Sequence, residues 1–111
     1  IKTDFPVYIC PIILQEISQG FINDKDYTIA LKLITEFPIL EYKPVELATG
    51  AADLYRKLRK KGVTIRKSND CIIAFSAIVY KLWILHKDRD FSIIAEHTSL
   101  QVIDAESYIG K

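Results

Sequence analysis

Apolar residues along this chain follow two rhythms, short continuous runs and stripes with a 3.6-residue period, and their alternation predicts a wound α/β layout. Residues 7–10 read as a strand, and Pro11 then opens a helix that continues to about Gly20. Asn23 or Asp24 can cap a second helix carrying Tyr27, Ala30, Leu31 and Ile34, with Pro38 marking its end. Residues 39–42 read as a second strand. Pro44 opens a long helix whose buried face is predicted from Ala48, Ala51, Ala52, Tyr55 and Leu58, and Gly62 stops it as the residue just past the cap. A helix led by Asp70, a strand over residues 83–85, a short helix through Ile93 to Ala95 and a last strand over residues 100–103 complete the series. Strands and helices alternating at this length imply a mostly parallel sheet covered on both faces.

Against that background the informative residues are acids in apolar company. Asp70 shares a stripe with Ile73, Ala74, Ala77 and Ile78, so it points where a carboxylate is ordinarily expensive. Glu16 shares a face with Ile13, Ile17 and Gly20, again a mainly core-facing stripe. Asp88 and Asp90 follow the strand at residues 83–85, in the loop beyond its carboxyl end, where open α/β sheets hold their ligands. Mutually repelling carboxylates at one rim are stabilised by sharing a divalent ion, and Mg²⁺ or Mn²⁺ suits oxygen donors. Such an ion can activate water for attack on phosphorus.

Each of these residues also has a plainer reading. Glu16 taken alone is a solvated helix residue. Asp70 can be an N-cap, a role open equally to Ser68 or Asn69, and Asp90 can cap the helix beginning near Phe91 instead of serving as a ligand beside or in place of Asp88. His86 can contact substrate or a carboxylate, yet a lone histidine at a strand end is more often structural; its HxDxD spacing gains nothing from the remote His97. With 11% aromatic residues, Trp83 and the tyrosines need no role beyond packing.

Composition narrows the class. A chain of 111 residues, half of them hydrophobic, fits one domain with a real core and excludes disorder. No apolar run approaches the ~18 residues of a membrane span, and no secretory signal pattern opens the sequence. Cys10 and Cys71 lie outside any CxxC or Cys/His spacing and read as small buried residues of a reducing compartment, which makes a cytoplasmic location the default. A net charge of +1 provides no global field for nucleic acid. Locally, Arg56, Lys57, Arg59, Lys60 and Lys61 crowd a helix end and complement its dipole. Arg66 and Lys67, just before Asp70, are placed either to hold a phosphodiester or to pair with the acids.

Three segments, VYICPIILQEISQGF, IRKSNDCIIAFSAI and LWILHKDRDFSIIA, occur in the order and spacing of the PIN domain, and the chain resembles in particular the VapC-type toxins of toxin–antitoxin pairs. The resemblance implies a three-layer α/β/α fold with a mostly parallel central sheet. It implies a Mg²⁺- (or Mn²⁺-) dependent endoribonuclease in which Glu16, Asp70 and Asp88 are catalytic and, with Asp90, hold the metal. Implied partners are an RNA substrate and a cognate antitoxin protein; a homodimer is allowed and a membrane is not involved. PIN domains open with a strand ending in Asp followed by Thr or Ser, whereas Asp4 is followed by Phe5 and Pro6, and the chain has no Met. The expectation is therefore a single PIN-like domain over residues 1–111 that lacks its natural amino-terminal strand and helix. The competing expectation is a catalytically silent PIN-like module that binds RNA or protein.

Overall fold

The structure, a computed structural model, describes residues 7–86 and 89–104, with Asp104 described by its backbone alone. The chain divides into two compact units, residues 1–41 and 42–111.

In the first unit, Pro11 at the first helical position starts α1 (Pro11–Gln19), where its missing N–H costs nothing. Asn23 then caps α2 (Asp24–Ile34): its side-chain oxygen accepts from the amides of Lys25 at 2.9 Å and Asp26 at 3.2 Å. Asp24 and Asp26 in the first turn and Lys32 in the last complement the dipole. The expected strands at residues 7–10 and 39–42 are reduced to a single parallel bridge, Ile9 to Ile39. The Ile9 amide donates to the Pro38 carbonyl and the Leu40 amide to the Ile9 carbonyl. Prolines explain the brevity, because Pro11 turns one segment into α1 and Pro38 offers no N–H to a longer ladder. Neither α1 nor α2 has a buried residue, which corrects the reading of the Glu16 face as core-directed: Glu16 is exposed and Ile17 is 43% exposed.

The second unit contains most of the core. Helix α3 (Pro44–Lys60) buries Leu47, Ala51, Leu54 and Leu58. The expected contributors Ala48 and Ala52 lie exposed instead. Each is one residue, and hence ~100°, around the helix from the leucine and alanine stripe that buries more area. Helix α3 packs along α4 (Ser68–Tyr80), and Gly50 is the point of close approach, with the Phe75 ring lying where a side chain would project. Helix α4 buries Asp70, Cys71, Ile73, Ala74, Ser76 and Ala77, so the predicted stripe stands.

Both long helices end in the same pair of bonds. After α3 the Val63 and Gly62 amides donate to Leu58 and Arg59, with Gly62 at φ 82°. After α4 the Leu82 and Lys81 amides donate to Ala77 and Ile78, and a lysine, Lys81, adopts the left-handed φ of 56°. Strand β1 (Trp83–His86) pairs in parallel with β2 (Gln101–Asp104), Trp83 beside Gln101 and His86 beside Asp104. The connection is α5 (Arg89–His97), which packs on β2 and α4 and buries Asp90, Phe91 and Ile94.

Candidate metal centre

Helix α4 is entered through Ile65, 2% exposed, which anchors the segment before the helix. The N-cap position is Lys67, with φ −111° and ψ 108°, so Asp70 lies inside the first turn and is not the cap. The Asp70 amide donates to the Lys67 carbonyl at 2.9 Å. Its side chain is buried because the stripe it heads packs inward. Asp90 occupies the equivalent place on α5, in the first turn of a helix that begins at Arg89, earlier than the sequence suggested. Each carboxylate therefore lies at the positive end of a helix dipole. Both residues are 5% exposed.

The two acids converge electrostatically on one atom. The Cys71 thiol, 1% exposed, is pushed from its ordinary value of 9.0 up to about 11, by burial first, then by the Asp70 charge and then by that of Asp90. Cys71 is thus a protonated, inert thiol at neutral pH, and Cys10 is likewise a buried free cysteine. Arg66 reaches the same site from the segment before α4, its Nε 3.8 Å from Asp90 Oδ2. Of its two readings, pairing with an acid is the one realised here.

His86 ends β1 as a buried residue whose ring lies 5.6 Å from that of Phe91 at an interplanar angle of 59°. Neither ring nitrogen has a hydrogen-bond partner among the described residues, so its visible role is packing. The basic cluster at the end of α3 is also a solvated surface: Lys57 pairs with Asp53 at 2.9 Å, and Arg59 lies 5.6 Å from the Tyr55 ring centroid.

Of the acids singled out from sequence, Asp70 and Asp90 fall together in the second unit, and Glu16 is an exposed residue of α1 in the first. Asp88 lies outside the described residues. Among the described residues no three His, Cys, Asp or Glu side chains form a group that could hold a metal ion. Two buried carboxylates nonetheless suit a hard cation, because Mg²⁺ dehydrates reluctantly and is commonly held by one or two carboxylates with waters completing its shell. Sequence reasoning missed that the charges of both acids act on Cys71; that Arg66 pairs with an acid was one of its two readings, without naming Asp90 as the partner. The spacing of Asp90, Phe91 and Ile94 along one face of α5 was the available signal for the burial of Asp90.

One buried acid lies in the first turn of α4, a second in the first turn of α5, and α5 connects the parallel strands β1 and β2 as a βαβ unit, an arrangement of the α/β class. The family model described as PIN domain matches residues 1–97, and the chain belongs to this family. Ribonuclease VapC11 of Mycobacterium tuberculosis is 37% identical over 95 residues, which span 86% of this chain and 71% of the relative. A VapC ribonuclease of Mycobacterium bovis matches to the same extent. In fold, the chain is similar to VapBC-1 from nontypeable Haemophilus influenzae, with a TM-score of 0.72 at 20% identity over 95% of this chain and 78% of that one. It is similar also to VapBC2 from Rickettsia felis, solved bound to a DNA fragment from their promoter, with a TM-score of 0.71 at 20% identity over 88% of this chain and 74% of the other. The expected α/β PIN fold is thereby established. No helix among the described residues is long and apolar enough to cross a membrane.

Proposed function

We propose that this protein is a VapC-type endoribonuclease toxin that hydrolyses RNA phosphodiester bonds with a carboxylate-held Mg²⁺ or Mn²⁺ ion and is restrained by a cognate antitoxin. The observation that carries the reading is the pair of buried acids, Asp70 and Asp90, in the first turns of adjacent helices around a single thiol, in a chain related to VapC ribonucleases. Asp70 and Asp90 supply oxygen donors whose burial keeps competing water away and strengthens every charge interaction in the site. When bound, the ion supplies Lewis acidity to a phosphoryl oxygen and a lowered pKa to a water. Glu16 and Asp88 enter as further ligands, and as catalytic residues with Asp70, on the family resemblance. The RNA substrate and the antitoxin partner rest on the relatives' ribonuclease names and on the VapBC assemblies; a homodimer and a cytoplasmic location remain part of the proposal.

The test is Asp70→Asn, assayed for RNA cleavage with Mg²⁺ and with a chelator, beside calorimetric Mg²⁺ binding. Because Asp70 is not the N-cap, the isosteric amide leaves capping alone while removing a ligand charge. Cleavage should fall by at least ~100-fold, the upper end of what losing even an indirect metal contact costs, with Mg²⁺ affinity weakened and the fold retained. Unchanged Mg²⁺-dependent cleavage in Asp70→Asn rejects the assignment. Because the described residues form no three-ligand group, the silent-module reading competes, and it predicts RNA binding by the unmutated protein without any cleavage that Mg²⁺ supports.

A further inference from the structure

We propose that the exposed face of α3 formed by Arg56, Arg59 and Lys60 is a binding surface for the phosphate backbone of RNA that needs no metal; the choice of RNA among polyanions rests on the ribonuclease reading above. The net charge of +1 hides a segregated distribution. Seven of the fifteen Lys and Arg residues fall between residues 56 and 67, a stretch without a single Asp or Glu, so all fourteen acids lie elsewhere in the chain. A local positive field results. Leu54 and Leu58 fix its orientation, because both are buried and Arg56 and Lys60 each stand two residues, roughly 200° around the helix, from one of them. Arg56, Arg59 and Lys60 are all exposed.

The plainer reading, cations answering the dipole of their own helix, accounts for only part of this. That effect is confined to the last turn, where Lys57, Arg59 and Lys60 lie, and Arg56 precedes it. Arg56 with Arg59, Arg56 with Lys60, and Lys57 with Lys60 are like charges three or four residues apart, an arrangement that destabilises a helix. Little inside the chain relieves them. Asp53 pairs with Lys57 at 2.9 Å, whereas among the described residues the side chains of Arg56, Arg59 and Lys60 are in no ion pair. Arg59 lies over the Tyr55 ring, 5.6 Å from its centroid, which steadies a planar guanidinium whose fork matches two phosphate oxygens. A run of phosphates neutralises all three cations at once. Position supports the same partner: residues 61–67 join α3 to α4, the two helices touch midway at Gly50 and Phe75, and the cluster therefore lies at the end of the pair where Asp70 enters α4.

The test is the variant Arg56→Gln/Arg59→Gln/Lys60→Gln in the full chain. Its control is Lys25→Gln/Lys32→Gln/Lys43→Gln, which removes the same charge from exposed positions outside the cluster. Binding of a fluorescent single-stranded RNA of mixed sequence is followed against salt in EDTA, so that neither a bound cation nor metal-dependent cleavage contributes. The cluster variant should bind roughly 30-fold more weakly than the parent, about threefold for each exposed contact. Its log–log salt slope should be shallower by about 2, or ~0.7 per phosphate contact on a single strand. The control should match the parent. Arg56→Gln alone, outside the last turn, should lose about threefold in affinity with no fall in thermal midpoint, because glutamine is a good helix former and like-charge repulsion is relieved. No RNA binding by the parent, unchanged affinity and slope in the cluster variant, or an equal loss in the control overturns the proposal. So does a loss confined to vesicles of equal parts phosphatidylcholine and phosphatidylserine, which marks a membrane surface instead. Cleavage with Mg²⁺ is read separately: a parent that binds RNA through this face and never cuts it refutes the nuclease reading alone, and a parent that cuts RNA but is matched in binding and cleavage by the cluster variant refutes this inference alone.

Discussion

Gly50 offers a test of how the site is held in place, because helix propensity and packing predict opposite signs for its replacement by alanine. In the middle of α3, Gly50→Ala should gain about 1 kcal/mol from propensity alone. A Cβ at that position, however, falls on the Phe75 ring carbons Cζ, Cε1 and Cε2 of α4, well inside van der Waals contact. Forcing the ring or the helix aside costs about 1–3 kcal/mol, so the net expectation is a loss of roughly 1 kcal/mol. For a domain of this size that lowers Tm by roughly 4–8 °C. The assay is denaturant unfolding of Gly50→Ala in the parent and in a Phe75→Leu background, where the outer ring carbons are absent. With the collision removed, Gly50→Ala should become stabilising by up to ~1 kcal/mol, and the cycle should be non-additive by more than ~0.5 kcal/mol. Additivity, or a stabilised single variant, would refute the claim that α3 and α4 are locked at this point. Since α4 carries Asp70 in its first turn, a shift of α4 should also weaken Mg²⁺ binding.

Two further outcomes follow from local conformation and charge. Lys81, left-handed at φ 56°, stands where α3 uses Gly62; Lys81→Gly should stabilise by about 0.5 kcal/mol, the left-handed strain less the entropy glycine adds to the unfolded chain, and a lower unfolding midpoint would contradict this. Cys71 should resist alkylation in the native state at pH 8. With its folded pKa raised to about 11 from 9.0, the folded state holds the proton more tightly, so this stabilisation is complete below pH 9 and is lost as pH rises through 11. The stability of the parent relative to Cys71→Ala should shrink across that window, and a constant difference would refute the burial of the thiol.

How much of this was legible in the residues depends on which force set each feature. Helix starts and stops were readable because Pro11, Asn23, Pro44 and Gly62 act locally, through fixed φ, a side-chain acceptor or freedom at positive φ. Asp70 was legible for the same reason that Ile73 and Ala77 were, since one stripe places all three. The errors came where tertiary packing chooses between adjacent faces. On α3 both an alanine face and the Leu47, Leu54 and Leu58 face fit the periodicity, and burial of the larger side chains decided it. On α1 a mixed face was read as core-directed, yet Ile13 is only half-buried and Glu16 and Ile17 are exposed, so the pattern around Glu16 did not report its environment. That Arg66 pairs with an acid was one of two sequence readings, but the choice of Asp90, distant in sequence, is set by tertiary packing and no local rule gives it.

Comparing the buried polar residues of the second unit shows why the acids, and not their neighbours, carry the proposed chemistry. Ser76 is 1% exposed but donates its hydroxyl to the Ile72 carbonyl one turn back at 2.8 Å, so the helix satisfies it at no net demand on the site. His86 is buried with its ring 5.6 Å from that of Phe91, and neither ring nitrogen has a hydrogen-bond partner among the described residues. Asp70 and Asp90 differ because they bring charge. A helix N-terminus returns about 0.3–1 kcal/mol to a carboxylate, whereas removing an ion from water costs several kcal/mol even after relaxation. The dipoles of α4 and α5 therefore offset only part of that cost, and charged or polar partners supply more, among them Arg66, whose Nε lies 3.8 Å from Asp90 Oδ2. On the nuclease reading proposed above, a divalent ion held by Asp70 and Asp90 would add to that counter-charge, whereas neither Ser76 nor His86 offers a carboxylate to such an ion.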